Sequence, residues 1–445
     1  MCSEWPLIPL RDFVDLLAGF AFKSTGYSDG QDDVRLLRGD NIAPGRVRWD
    51  GVKRWSRENA VGLERYALEP GDVVLAMDRP WIPAGLKVAQ VQAADTPSYL
   101  VQRVARIRPA SREDCSFLFA LLSTPEFESY IQNVTTGTAV PHISAKQILD
   151  FEFRLPPAYV RAKVGEIVAA LNERITLLRE TNTTLEAMAQ TLFKWWFVDF
   201  DPVHARARGE QPAGLAPEVA ALFPDCFEES ALGMIPKGWG VQLIRDVVEG
   251  VYDGPHATPP ESDVGPVFLG IKNLTGTALA LSDVRHIADE DFIKWTKRVT
   301  PKAGDIVFSY EATLGFFALI PDEVKCCLGR RLALIRPMEI DGHGHFWFHQ
   351  FVAAPFQRHL EKHTIQGATV NRIALKEFPG YPVLNPSSEL KQAFEVRAAA
   401  IWHKIHLNQK QAQTLANLRD TLLPRLISGQ LRLPEGDAVL QDAGI

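Results

Sequence analysis

The chain has 445 residues, 46% of them hydrophobic, and a formal net charge of -6. That is enough apolar material for two or three cores, and the acidic balance excludes a protein that coats nucleic acid indiscriminately, since such binding runs on phosphate neutralisation. The opening residues MCSEWPLIPLRDF carry an acid and a proline where a secretory signal needs a basic start, and no stretch approaches the ~18 uncharged apolar residues of a membrane span. A cytoplasmic protein is expected. Cys2, Cys115, Cys226, Cys326 and Cys327 follow neither a zinc nor a disulfide pattern.

In chain order, WPLIPLRDFV opens a region of mixed strands and short helices. From Arg35 to Arg65 it is locally basic, with eight Lys/Arg (Arg35, Arg38, Arg46, Arg48, Lys53, Arg54, Arg57, Arg65) against four acids (Asp40, Asp50, Glu58, Glu64). EPGDVVLAM turns at Gly71 into a strand. FLFALLSTPEFESYIQ reads as a helix broken at Pro125 and resumed, and the polar loop TTGTAVPHI around Gly137 comes after it. Val168, Leu171, Ile175, Leu178, Asn182, Leu185, Ala189, Leu192 and Trp196 then alternate spacings of three and four, which is a coiled-coil seam. A helix of about 35 residues would span roughly 50 Å. Trp195 and Trp196 at its end are expected to pack against a neighbouring domain. The next stretch, to Lys237, is rich in Pro, Ala and Gly and reads as a surface connector.

The same succession then returns at a separation of roughly 230 residues, so the chain is a two-fold repeat. WGVQLIRDVV at Trp239 answers WPLIPLRDFV at Trp5, KAGDIVFSY answers EPGDVVLAM, LALIRP answers VARIRP, and IQGATVNRI around Gly367 answers TTGTAVPHI. The second seam runs through Ala398, Ile401, Ile405, Asn408, Ala412, Leu415 and Leu422, with Pro424 expected to end it. Ala and Asn in the seam favour close, register-fixed packing. The segments after the matched strands, DRPWIPAG and EATLGFFAL, are nearly unrelated. The expected fold is α+β: two similar mixed α/β domains separated by a long antiparallel two-helix coiled coil, with pseudo-two-fold symmetry. Such a pair offers equivalent surfaces to successive turns of duplex DNA.

LFKWWFVDFDPV (192–203), LGMIPKGW (232–239) and LLPRLISGQLRL (422–433) resemble the central and C-terminal regions of the specificity subunit of type I restriction-modification enzymes. GFAFKSTGY (19–27), DGPHATPP (253–260) and the two glycine loops resemble elements of that family's target recognition domains. The resemblance implies a first recognition domain over 1–157, a conserved helix over 158–200, a connector over 201–235, a second recognition domain over 236–386, a second helix over 387–430 and a tail over 431–445. It further implies double-stranded DNA, two methyltransferase subunits and restriction/motor subunits as partners. S-adenosylmethionine, ATP and Mg2+ would be used by those partners, with no cofactor or metal in this chain. Each domain would read half of a bipartite site, the helices would set the gap, and the subunit itself would perform no chemistry.

Enzyme motifs give little support to a rival reading. DRPW at Asp78–Trp81 departs at Arg79 from an amino-methyltransferase motif and lacks a glycine-rich loop for the methyl donor. PDEVK (321–325) sets its acids too close in sequence for a nuclease centre, and His343, His345 and His349 lack a fourth metal ligand in suitable spacing. A duplicated protein-protein adaptor without DNA contact is the alternative, supported by the acidic balance.

Bases are read best by Arg or Lys on guanine and Asn or Gln on adenine, while hydroxyls position phosphates. The candidate DNA-binding residues of the first domain are therefore Lys23, Arg38, Asn41, Arg79, Thr138 and His142. Those of the second are His256, Thr258, Lys272, Asn273, Tyr310, Thr369 and Arg372. Each has a plainer reading as an exposed polar loop residue or a turn stabiliser.

Overall fold

A computed structural model describes residues 5–431, apart from 50, 83–84, 138–139, 282–283, 339–343 and 368–369. The expected tail, 431–445, lies outside the described residues but for Leu431. The chain divides into two compact units: Met1–Leu177 with Gln411–Ile445, and Leu178–Lys410.

In the first unit Val14–Ala18, Val104–Pro109, Val73–Ala76 and Val88–Gln90 lie side by side in that order, with every pair antiparallel. The second unit repeats the order with Val248–Asp253, Leu332–Pro337, Ile306–Ser309 and Phe317–Leu319. The β-branched runs after the turns at Gly71 and Gly304 thus become central, fully buried strands, as the duplicated sequence leads one to expect. A second sheet is also duplicated in part: Ser98–Leu100 runs parallel to Val34–Leu37, and Cys326–Leu328 runs parallel to Ser262–Leu269. Two-residue strands in the hairpins Ile42–Val47 and Leu274–Leu279 pair in the same register.

The helix expected to break at Pro125 does so, into Cys115–Leu122 and Pro125–Val134; its counterpart is Gly344–Val352 and Ala354–Lys362. Proline stands in the first turn of the resumed helix, where its missing amide costs nothing.

The two long helices are Ala158–Phe197 and Ser388–Ile427. Within the second unit they run antiparallel: Asn182 meets Asn408 near one end, and Arg397 lies over the Trp196 ring near the other, 5.5 Å from its centre. The seam asparagines bond to each other, Asn408 Nδ2 to Asn182 Oδ1 at 2.8 Å, and Asn182 Nδ2 donates to the Ile405 carbonyl at 3.1 Å. This satisfies the buried Asn408 amide and the half-buried Asn182, and favours one register over a slipped one. Within the first unit Arg419 donates to Asn172 at 2.7 Å. Pro424 does not end the second helix, which continues to Ile427, because proline removes only its own amide bond while its carbonyl still accepts the Ser428 amide at 2.9 Å.

The stretch 201–235 is folded rather than a surface connector. Val203 and Phe223 are buried against the aromatic core that holds Phe193, Trp196, Phe197 and Phe394, and Ala220 is buried beside them. Its Pro and Gly residues mark turns between short elements whose apolar residues complete this core. Trp196 is therefore a core residue of the second unit. Among the described residues no helix is long and apolar enough to cross a membrane.

Candidate nucleic-acid interface

The glycine loops are tight hairpins. Thr136 and His142 exchange both backbone hydrogen bonds, at 3.0 and 2.7 Å; in the second unit Thr364–Ile365 pairs with Arg372–Ile373. A side chain at Gly137 would bring its Cβ within 2.7 Å of the Val140 carbonyl oxygen, and one at Gly367 within 2.2 Å of the Val370 oxygen. The repeated glycine is required by this close approach. Thr138 and Thr369, candidates on these loops, lie outside the described residues.

Each returning strand delivers its basic residue to an acid. His142 bridges to Asp78 and Arg372 to Glu311 through the backbone, and the His142 Nδ1 stands 2.6 Å from Asp78 Oδ1. An arginine joins from the turn before a central strand: Arg103 is 3.4 Å from Asp78, and Arg331 is 3.8 Å from Glu311. Both arginines have positive φ, 68° and 75°. So do Arg79 and Ala312, at 46° and 66°, whose amides bond to the Pro141 and Asn371 carbonyls. Left-handed backbone at non-glycine residues costs energy, and its recurrence at matched stations reflects a shared frame.

A hairpin lies at each unit's equivalent edge. Asn41 Oδ1 accepts the Arg38 amide at 3.1 Å, and Asn273 Oδ1 accepts the Gly270 amide at 3.0 Å. Their carbonyls accept the Arg48 and Ala280 amides, both at 2.8 Å. Asn41 and Asn273 are only 4% and 2% exposed, so as candidate base readers they are corrected: their side chains hold a turn together and do not reach solvent. Tyr310 is corrected likewise. It is 4% exposed in the second unit's core, because its position ends a central strand on the inward side.

The remaining candidates are reachable. Arg38 is half-exposed and 3.5 Å from Asp40; Arg79 is exposed; Lys272 is exposed on the same turn as Asn273. Lys23 and Thr258 stand at equivalent positions beyond their units' first sheet strands, both exposed, and His256 is exposed 3.1 Å from Asp253. Of the basic window, Arg35, Arg54 and Arg57 are committed to backbone carbonyls, and Arg35 also stacks on Trp49 at 4.4 Å. A charge count therefore overstates the window's free cations.

Sequence reasoning missed Lys87, which lies beside Asp40, Asp78, Arg48 and Arg79 and whose ammonium burial pushes below its ordinary pKa. It precedes a strand, and its surroundings read as strand.

Register matches the two faces residue by residue. Arg38, Asp40, Arg48, Arg79 and Lys87 of the first unit stand where the second has Gly270, Lys272, Ala280, Ala312 and Phe316. The acid (Asp78, Glu311), the arginine (Arg103, Arg331) and the structural asparagine persist. The frame is common and the face is rewritten.

Residues 3–187 match the family model described as Type I restriction modification DNA specificity domain. Over most of its length the chain is similar to type I restriction enzyme specificity subunits. It is 25% identical over 433 residues to the Type I restriction enzyme HindI specificity subunit of Haemophilus influenzae, spanning 83% of this chain and 88% of that one. It is 23% identical over 359 residues to the MjaIX specificity subunit of Methanocaldococcus jannaschii, spanning 78% and 76%. The solved specificity subunit from M. genitalium shares its fold, with a TM-score of 0.52 at 12% identity over 95% of this chain and 96% of that one. Two histidines of GHGHFWFHQ have protein partners among the described residues. His345 pairs with Glu395 at 2.6 Å and His349 accepts the Trp402 indole N–H at 3.0 Å, while His343 lies outside the described residues.

Proposed function

We propose that this chain is a specificity subunit, itself non-catalytic, that reads a bipartite asymmetric DNA site, one half with each unit, and that the long helices set the gap. The observation that carries the reading is the common frame with a rewritten face: a shared scaffold keeps Asn41 and Asn273, Asp78 and Glu311, while the exposed stations differ in charge and size. Two equal faces would read a repeated half-site; two unlike faces read unlike halves. The proposed contacts are Lys23, Arg38, Arg79 and His142 in the first unit, and His256, Thr258, Lys272 and Arg372 in the second.

Two methyltransferase subunits, using S-adenosylmethionine, and restriction/motor subunits, using ATP and Mg2+, are the proposed partners. The duplicated units give each methyltransferase an equivalent place to dock. Methylome sequencing of the host with and without this gene tests the reading. The expected result is a two-part motif, with unlike halves, that disappears on deletion and returns on complementation. A methylome unchanged by deletion, while the methyltransferase is expressed, would overturn it.

A further inference from the structure

Lys87 is the least accessible cation of the first unit's candidate face. Its amide donates to the Pro80 carbonyl at 2.7 Å and its carbonyl accepts the Ala76 amide at 3.0 Å, which fixes its backbone at the sheet edge. The residue is 8% exposed, and its ammonium has no hydrogen bond or ion pair among the described residues. Its Nζ lies against Gly39, where a Cβ would stand 3.8 Å from it, so the glycine keeps the approach to the ammonium free of a side chain.

The neighbouring charges set which ligands this recess can accept. Arg48, whose Nε donates to the carbonyl of Asp40 next to Gly39 at 3.4 Å, and Arg79, next to the Pro80 that accepts the Lys87 amide, are both exposed, with the Arg79 guanidinium unpaired among the described residues. The two nearby acids are engaged elsewhere, Asp78 by His142 and Arg103, and Asp40 by Arg38. A buried cation without an acceptor is unfavourable, and a compact anion with several oxygens relieves it while leaving acceptors for both arginines. Duplex DNA presents such a group on its outside. A phosphate projects from the backbone and enters a recess, whereas a base edge lies at the floor of a groove and is met by a side chain that protrudes.

Resting on the DNA-recognition reading above, we infer that Lys87, Arg48 and Arg79 form a seat for one backbone phosphate in the first unit, and that the second unit has no equivalent seat. There Phe316 takes the place of Lys87, its carbonyl accepting the Ser309 amide at 3.0 Å, and Ala280 and Ala312 take the places of the arginines. Phosphate anchoring is therefore lopsided between the two halves of the site.

The test uses the full chain purified with its methyltransferase subunits and fluorescence anisotropy from about 50 to 200 mM salt. One duplex carries the methylated motif of the host and the other a scrambled sequence. Lys87→Met is expected to lower the slope of log affinity against log salt by about one on both duplexes, and Lys87→Arg to retain it. Arg79→Gln, at an exposed side chain, should lower the slope without touching the core. Phe316→Met should leave the slope unchanged. The inference is overturned if Lys87→Met and Arg79→Gln keep the wild-type slope, if their loss is confined to the motif duplex with a changed base preference, or if Phe316→Met lowers the slope equally. Failure of the wild-type complex to bind either duplex would instead sink the DNA-recognition reading itself.

Discussion

Arg108 holds Asp72 through two parallel hydrogen bonds, Nε to Oδ1 at 2.6 Å and Nη2 to Oδ2 at 2.8 Å, and Asp72 is wholly buried. The Asp72 carboxylate also accepts the Glu69 amide at 2.9 Å, so one side chain ties the turn before a central strand to the strand beside it. The second unit repeats the device: Arg336 holds Asp305 at 2.9 and 2.6 Å, and Asp305 accepts the Lys302 amide at 2.9 Å. In both pairs the side-chain hydrogen bond to the aspartate raises the arginine's pKa further. Removing the aspartate leaves a largely buried guanidinium with only a more exposed and more distant glutamate, Glu69 for Arg108 and Glu249 for Arg336. Asp72→Asn is expected to cost about 3 kcal/mol in the first unit, and Asp305→Asn a similar amount in the second. Denaturant titration of each variant measures this; a loss below about 0.5 kcal/mol would show that the pair contributes only as a surface ion pair does.

The seam asparagines behave as a unit. Asn408→Leu alone takes away the donor to Asn182 Oδ1 and should lower stability by about 1–2 kcal/mol, whereas Asn182→Leu with Asn408→Leu should recover that loss or exceed it by adding apolar packing. A double-mutant cycle in denaturant reads the coupling. Additive losses from the two single changes would mean that the asparagines do not depend on each other.

His349 gives the second unit a pH dependence. Burial, reinforced by neighbouring His345, drives its pKa from 6.5 down to about 3, and the ring must stay neutral to accept the Trp402 N–H. Between those values the unfolded chain binds the proton and the folded one does not, so stability is fully present above about pH 6.5 and falls as the pH drops below it. The slope attributable to this one group approaches about 1.4 kcal/mol per pH unit. Denaturant midpoints at several pH values, compared between wild type and His349→Gln, test this: the variant should lose that component of the slope, and identical slopes would count against it.

The thiols should react in a fixed order. Cys326 and Cys327 lie buried in a strand where burial pushes their pKa up to about 12, leaving almost no thiolate near neutral pH; Cys115 is buried also, and Cys226 is exposed. Iodoacetamide labelling and subsequent peptide mass mapping should show Cys226 modified first among the described cysteines, and the other three only on unfolding. Early labelling of Cys326 would contradict the packing of that strand.

Lengthening the first long helix tests the gap. Four residues inserted after Thr183 add about 6 Å and rotate the C-terminal part of that helix by roughly 40° beyond one turn. Rises of ~3.4 Å per base pair then predict the same two half-sequences with a gap longer by about one or two base pairs in the methylome. Changed half-sequences with an unchanged gap would show that the helices are not the ruler.

Duplication was legible because it is written in strand patterns, glycine turns and seams, all governed by backbone geometry. The face was legible only in part. Asn41 and Asn273 look like loop polars, but a side chain that bonds an amide three residues back is indistinguishable in sequence from one that faces solvent. Tyr310 fell at the end of a strand, where one residue of register decides between core and surface. Lys87 escaped for the opposite reason, since AGLKVAQ carries its one cation inside an apolar run. Arg54 and Arg57 looked free because backbone carbonyls, their actual acceptors, have no signature in a sequence.

The first unit draws on two distant stretches of the chain, since the part of the second long helix from Gln411 onward belongs to it and Arg419 there bonds Asn172 on the helix that begins at Ala158. A ribosome makes those parts in that order, and at about 5–20 residues per second the stretch between them delays the closing segment by roughly 10 to 50 s. During that interval Asn172, among the buried seam residues Val168, Leu171 and Ile175, waits without Arg419, while every residue of the second unit has been delivered before the last of the first. The unit that starts first is completed last, which makes the nascent first unit a natural client for chaperones and makes a truncation near the C-terminus a lesion of the N-terminal half.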